Sequence, residues 1–122
     1  MWLVGLGPDN ISSVVASESA LKFVGRWEYR NDVRLNIERH NDRIAIVPFE
    51  NDTWRTTISN ARIAGNSLHY VQKSYCKKML LHPFSGVPCK CVLTLLDDYR
   101  LEYRLTTWFM PLTSPEILSK AE

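Results

Sequence analysis

The chain has 122 residues, of which 45% are hydrophobic and 23% are charged, and its formal net charge is +2. These proportions are typical of one globular domain and exclude an intrinsically disordered chain. Lysine and arginine are dispersed among the acidic residues without a basic block, and no apolar run approaches the ~20 residues of a membrane-spanning helix. We therefore expect one soluble domain, residues 1–122, without a nucleic-acid partner or a membrane span.

The first predicted element is a helix over residues 11–23, within an N-terminal extension of residues 1–24. Asp9 or Asn10 is suited to cap its N-terminus. Apolar residues recur there at spacings that give one buried stripe: Ile11, Val14, Val15, Ala16, Ala20 and Leu21. Gly25 is expected to end the helix and to turn the chain into the first strand.

Residues 25–108 alternate apolar with polar side chains, which predicts half-buried strands because successive side chains of a strand point to opposite faces. Seven strands are predicted, at residues 26–30, 33–39, 43–49, 53–63, 67–76, 89–96 and 100–108. Turn residues such as Asn31-Asp32 and Gly65-Asn66 separate them. The C-terminal tail, residues 109–122, contains an apolar pair, Ile117-Leu118, that is a candidate eighth strand.

The short connections predict that consecutive strands pair as an antiparallel meander. Such a sheet twists and leaves two exposed edges, and closure into a barrel removes them. The predicted fold is therefore all-β with one N-terminal helix, a seven- to eight-stranded antiparallel meander that closes into a small up-and-down barrel. The alternative is a two-sheet sandwich, or a bent half-barrel with the helix across its open side.

A Gly-x-Trp motif, Gly25-Arg26-Trp27, stands at the start of the meander after the 11–23 segment. This arrangement resembles the lipocalin and calycin superfamily. The resemblance implies a lipocalin-like barrel in which Trp27 closes one end, commonly stacked beneath an arginine from the last strand. Arg100 or Arg104 would serve here, although alternation points both outward. Lipocalin barrels also run longer than this chain.

A barrel of about eight strands either is filled by side chains or holds one small ligand. Alternation turns several aromatic and amide side chains inward, and the candidate ligand-binding residues are Tyr29, Trp54, Tyr70, Gln72 and Tyr103. A bound molecule would provide partners for their polar groups, although these groups could also satisfy one another. The first functional hypothesis is a protein that holds a small, mostly apolar molecule, with no cofactor.

The three cysteines, Cys76, Cys89 and Cys91, are an odd number, so the monomer keeps at least one free thiol. Three arrangements are open: free thiols, one disulfide between Cys76 and Cys89, or a zinc site to which His82 or His69 adds a ligand. The Cys89-Lys90-Cys91 spacing matches no usual zinc motif. The sequence leaves the cellular compartment open.

The alternative function is a protein-interaction or self-assembly module without a small-molecule ligand. A self-assembly module would form a homo-oligomer, and an interaction module would bind a different protein. It would use the outer face of the sheet and the link over residues 77–88, where Met79, Leu80, Leu81 and Phe84 place large apolar side chains in a loop. Residues 108–112 are a second apolar cluster. No catalytic residue is predicted, because the sequence lacks the G-x-S-x-G and H-E-x-x-H motifs and the predicted interior has no acidic group.

Overall fold

The computed structural model describes residues 12–107 and 115–121, and these form one antiparallel sheet of nine strands around a barrel. The elements are β1 (Ser13–Val15), α1 (Glu18–Leu21), β2 (Gly25–Tyr29), β3 (Asp32–His40), β4 (Arg43–Ile46), β5 (Trp54–Ala64), β6 (Ser67–Cys76), β7 (Pro88–Leu95), β8 (Arg100–Thr106) and β9 (Glu116–Lys120). The predicted all-β class is confirmed. No helix within the described ranges is long and apolar enough to cross a membrane.

The predicted helix over residues 11–23 is wrong. The structure has β1 at its start, with Val14 paired to Ile44 of β4, and only one helical turn, α1, after it. Ser17 caps this turn by accepting a hydrogen bond from the Ala20 amide at 3.1 Å. Branching at Cβ makes valine better suited to a strand than to a helix, and β4 offers β1 an unpaired edge.

The strands are ordered β1-β4-β3-β2-β9-β8-β7-β6-β5 around the sheet. β9 contains the candidate eighth strand and joins the two halves, since it pairs antiparallel with both β8 and β2. β1 and β5, the two terminal strands of this order, contact each other, so the barrel is nearly closed. The count is nine strands and not the predicted seven or eight, because β1 forms where a helix was expected.

Apolar side chains fill most of the barrel interior, and the alternation predicted most of them. The largest fully buried side chains are Trp27, Tyr70, Phe23, Ile37, Ile44, Leu68, Leu93, Leu101, Leu118 and Cys91. One departure is a bulge in β5 between Ser59 and Arg62, where Asn60 has a φ of 55° and Ala61 is buried. A bulge inserts one extra residue and so shifts the alternation beyond it.

Trp27 packs in the core at the end of the barrel where Phe23 and α1 lie. Its side chain is fully buried, and its indole Nε1 donates a hydrogen bond to the Phe23 carbonyl at 2.9 Å. The cation above its ring is Lys120 of β9, whose Nζ lies 5.1 Å from the ring centroid. Arg100 and Arg104, the candidates from the resemblance, instead form ion pairs with carboxylates on the outer surface. We refer to this end of the barrel as the closed end and to the opposite end as the open end.

Candidate functional site

The open end of the barrel contains a cleft of about 590 Å³, a size within the range of small-molecule sites. Its apolar wall consists of Val33, Phe49, Trp54, Phe84, Val87 and Leu105. Its polar groups belong to Arg34, Thr56, Gln72, Ser74, Cys89, Tyr103 and Thr107. A smaller hollow of about 270 Å³ extends between β3 and β5 and shares five lining residues with this cleft: Val33, Arg34, Phe49, Thr56 and Gln72.

Strand register places the polar groups of the cleft side by side. Thr56 of β5 pairs with Ser74 of β6, and Gln72 of β6 pairs with Cys89 of β7. Residues two apart on a strand share a face, so Gln72 and Ser74 both point inward. The wall of the cleft is thus a set of cross-strand pairs near the ends of β5, β6 and β7.

Thr56 has a structural role in this wall. Its hydroxyl accepts a hydrogen bond from the Phe49 amide at 2.6 Å and donates one to the Phe49 carbonyl at 2.8 Å. The two bonds hold the link between β4 and β5 against the barrel. They also occupy the hydroxyl, so Thr56 shapes the cleft without offering it a free polar group.

Gln72 and Ser74 are the polar groups that remain available in this wall. Both are half-buried, and within the described residues neither side chain makes a hydrogen bond. A glutamine amide offers two donors and an acceptor, and a serine hydroxyl offers one donor and an acceptor. Polar groups of this kind, set in an apolar wall, are what orients a ligand in a binding site.

The rim of the cleft carries an ion pair between Arg34 and Glu116. The guanidinium donates to both carboxylate oxygens, with Nε–Oε1 and Nη2–Oε2 distances of 3.1 and 3.2 Å. The same guanidinium lies 5.4 Å from the ring centroid of Tyr29, which does not line the cleft. The charge of Arg34 is therefore already neutralised at the entrance.

Three protonated side chains, Tyr70, Cys91 and Tyr103, meet beneath the cleft. The Tyr103 hydroxyl lies 3.9 Å from Cys91 Sγ, and both groups interact with the Tyr70 hydroxyl. Burial raises the pKa of the Cys91 thiol to about 12 and raises the pKa values of both tyrosines well above the usual value. All three groups stay neutral at physiological pH, because low-polarity surroundings disfavour their anions.

The raised pKa of Cys91 predicts a loss of stability in alkali. An unfolded thiol ionises near pH 8.5, so above that pH the unfolded chain binds fewer protons than the folded one and unfolding becomes easier. The contribution of the protonated Cys91 thiol to the free energy of unfolding is fully present below about pH 8.5 and is lost gradually as the pH rises to about 12. Between about pH 8.5 and pH 12, the unfolding free energy of the Cys91→Val variant should decrease with pH less steeply than that of the wild type, by ~1.4 kcal/mol per pH unit. Urea denaturation at several pH values measures both slopes. Equal slopes in both proteins would contradict the assignment.

The structure brings together three of the five candidate ligand-binding residues. Trp54, Gln72 and Tyr103 line the cleft, whereas Tyr70 lies in the core beneath it and Tyr29 lies outside it. A role in binding stays a prediction for all five. Alternation did not indicate Phe49, Phe84 and Val87 as cleft residues, because they belong to links between strands. Their only signal was the presence of large apolar residues in loops, which does not say what they cover.

All three cysteines are free, and the disulfide proposed between Cys76 and Cys89 is not formed. Cys89 pairs with Gln72, four residues before Cys76 on β6, which corresponds to ~13 Å along a strand. Disulfides need Cα atoms within about 7 Å. Nor do the described residues include a cluster of three or more metal ligands. His82, a candidate zinc ligand, packs edge-on against Trp54 with ring centroids 4.9 Å apart.

The link over residues 77–88 forms one side of the cleft. Its ends are tied down by two bonds, from the Gly86 amide to the Ser74 carbonyl at 2.8 Å and from the Cys76 amide to Ser85 Oγ at 2.7 Å. Its tip is open to solvent, with Leu80 and Leu81 exposed to 93% and 88%. The predicted cluster at residues 108–112 lies outside the described part of the chain.

Comparison of this chain with protein-family models, with curated proteins and with solved structures finds no match. The resemblance drawn from Gly25-Arg26-Trp27 therefore stays an expectation.

Proposed function

We propose that this protein binds one small, mostly apolar molecule in the cleft at the open end of the barrel. The observation that carries the proposal is the pairing of an apolar wall with the free polar side chains of Gln72 and Ser74. Burying an apolar ligand against this wall would contribute roughly 25 cal/mol per Å² of surface removed from water. The two polar side chains would fix the orientation of the ligand.

The closed end of the barrel supports the same proposal. Trp27, Phe23 and Ala20 are fully buried there, whereas at the open end Val33 and Phe49 remain exposed to 46% and 57%. Apolar side chains left exposed around a concave surface are typical of a place where another molecule is bound. A ligand in the cleft would cover the inner surfaces of these residues.

Nile red, an uncharged apolar dye that becomes fluorescent away from water, tests the proposal directly. We expect saturable binding to the wild-type protein. Ser74→Trp would fill the cleft and lower the affinity for the dye by at least ~10-fold, or ~1.4 kcal/mol. Lys73→Trp is the matched control, because the same side chain is added one residue away on the opposite face of β6.

Two results would contradict the binding proposal. One is an absence of saturable binding to the wild-type protein. The other is equal binding by the Ser74→Trp and Lys73→Trp variants, which would place the dye elsewhere on the surface. Unfolding curves of both variants would show that each remains folded.

The exposed tip of the 77–88 link favours a second candidate function, self-assembly with another copy of this chain. Leu80 and Leu81 are almost fully exposed, and Met79 and Phe84 are each exposed to 54%. Adjacent apolar side chains in water are typical of protein–protein contacts.

Light scattering at increasing protein concentration measures this self-assembly. We expect the wild-type protein to form a dimer or larger species and the double variant Leu80→Ser with Leu81→Ser to be monomeric. Leu96→Ser, at an exposed leucine near the opposite end of the barrel, is the control and should behave as the wild type. A wild-type protein that stays monomeric throughout would exclude self-assembly.

A further inference from the structure

The hydroxyl of Tyr70 is the one buried side-chain polar atom of the described residues that lacks a hydrogen bond of regular geometry. The residue is only 2% exposed. An unsatisfied buried hydroxyl costs about 1–3 kcal/mol, and native structures rarely keep one without a reason. A partner that is absent from the protein itself, such as a bound molecule, is one such reason.

Tyr70 lies next to the cleft. It is two residues before Gln72 on β6 and so shares the inward face with this cleft residue. Its hydroxyl interacts with the side chain of Tyr103, and Tyr103 lines the cleft. Movement of the Tyr103 side chain would therefore connect the Tyr70 hydroxyl to the space in which a ligand lies.

The acceptors around the Tyr70 hydroxyl are a second hydroxyl, from Tyr103, and the Cys91 thiol, whose sulfur accepts only weakly. Tyr70, Tyr103 and Cys91 each have a proton to donate, and the Cys91 thiol lies 3.9 Å from the Cys89 carbonyl. A carbonyl oxygen accepts hydrogen bonds through two lone pairs and donates none. A ligand carbonyl would thus offer the Tyr70 hydroxyl a strong acceptor that has no proton of its own to place.

The same surroundings oppose a negative charge. Burial raises the pKa of each of the three side chains, so the pocket floor already disfavours their anions. Arg34 is the only lysine or arginine among the described residues that line the cleft, and Glu116 holds it in an ion pair at the rim. A carboxylate that entered the cleft would have no free cation to meet.

We infer that the molecule bound in the cleft is uncharged and carries a carbonyl or similar acceptor at its inner end, which accepts a hydrogen bond from Tyr70. This inference rests on the proposed function, because it presupposes a ligand in the cleft. It narrows the ligand class to neutral apolar compounds with one acceptor, and it sets aside fatty acids and other apolar anions.

Three compounds that share one ring system test the inference by displacing Nile red: acetylnaphthalene, naphthalene and naphthoate. At neutral pH we expect acetylnaphthalene to bind ~5- to 10-fold more tightly than naphthalene, the range of one hydrogen bond, and naphthoate to bind most weakly. Tyr70→Phe should remove the advantage of acetylnaphthalene and leave naphthalene within ~2-fold of its wild-type affinity. Tyr99→Phe is the control, because Tyr99 is 70% exposed, and it should change the affinity for neither acetylnaphthalene nor naphthalene.

The outcomes separate this inference from the proposal on which it rests. If neither Nile red nor naphthalene binds, the proposed function itself fails. If both bind but naphthoate equals or exceeds acetylnaphthalene, the inference of an uncharged ligand is overturned. If acetylnaphthalene keeps its advantage in a folded Tyr70→Phe protein, the hydroxyl does not contact the ligand and the inference is also overturned. The order of the three compounds on the wild-type protein decides the charge preference without any variant.

Discussion

Trp27→Ala is expected to lower the free energy of unfolding by about 3–5 kcal/mol, the range for aromatic side chains removed from a core. Trp27 is fully buried at the closed end of the barrel. Its loss would leave a cavity between β2 and β9 and would leave the Phe23 carbonyl without its indole donor. Lys120 would also lose the ring beneath its ammonium group. Denaturant unfolding followed by circular dichroism measures the change.

Trp54→Ala is the matched control for this variant. Trp54 is half-buried and lines the cleft. Its removal should therefore lower the free energy of unfolding by less than about 2 kcal/mol and should weaken the binding of Nile red. Trp27→Ala should have the opposite profile in any protein that remains folded, with a large loss of stability and little change in dye binding. A loss below about 1 kcal/mol for Trp27→Ala would mean that this tryptophan does not close the barrel.

Leu118→Ala is expected to lower the free energy of unfolding by about 2–5 kcal/mol, because Leu118 is fully buried. Leu118 belongs to β9, the strand that joins the two halves of the sheet. Shortening this side chain removes core packing at the junction with β8 and β2. The backbone pairing of β9 is short on the β2 side, where Trp27 pairs with Lys120 and Glu28 with Ser119. Side-chain packing must therefore contribute much of what holds β9 in place.

Ile117→Ala provides an internal comparison on the same strand. Ile117 points to the opposite face of β9 and is 44% exposed, so its replacement should change the unfolding free energy by less than about 1 kcal/mol. Urea denaturation of the two variants measures the difference. Equal losses would show that β9 does not contribute its Leu118 face to the core, and the joining role of this strand would then be wrong.

The closed end of the barrel contributes mainly to stability, and the open end contains the proposed binding site. At the closed end, the buried indole nitrogen of Trp27 donates a hydrogen bond to a protein group, the Phe23 carbonyl. The open end leaves Gln72, Ser74 and Tyr70 without side-chain hydrogen bonds of regular geometry among the described residues. Local departures from complete satisfaction of polar groups concentrate at functional sites in natural proteins. This contrast places the candidate site at the open end.

The sequence by itself determined the strands from β2 to β8 and most of the side chains that these strands turn inward. Alternation is a local property of an extended chain, so it predicted that Leu68 and Tyr70 of β6 and Leu101 and Tyr103 of β8 share the interior. The Gly25-Arg26-Trp27 motif likewise directed attention to Trp27, whose side chain is fully buried. These features depend on residues close together in the chain, and a single sequence is sufficient to show them.

Only the tertiary structure decided the features that depend on distant residues. β1 became a strand because β4, about thirty residues later, offers it an edge, and Lys120 reached Trp27 because β9 pairs with β2. Likewise, Tyr70 and Tyr103 have the same alternation pattern, yet one is buried in the core and the other lines the cleft. Depth along a barrel depends on strand register and on which loops cover the open end, and neither is encoded in the period of one strand.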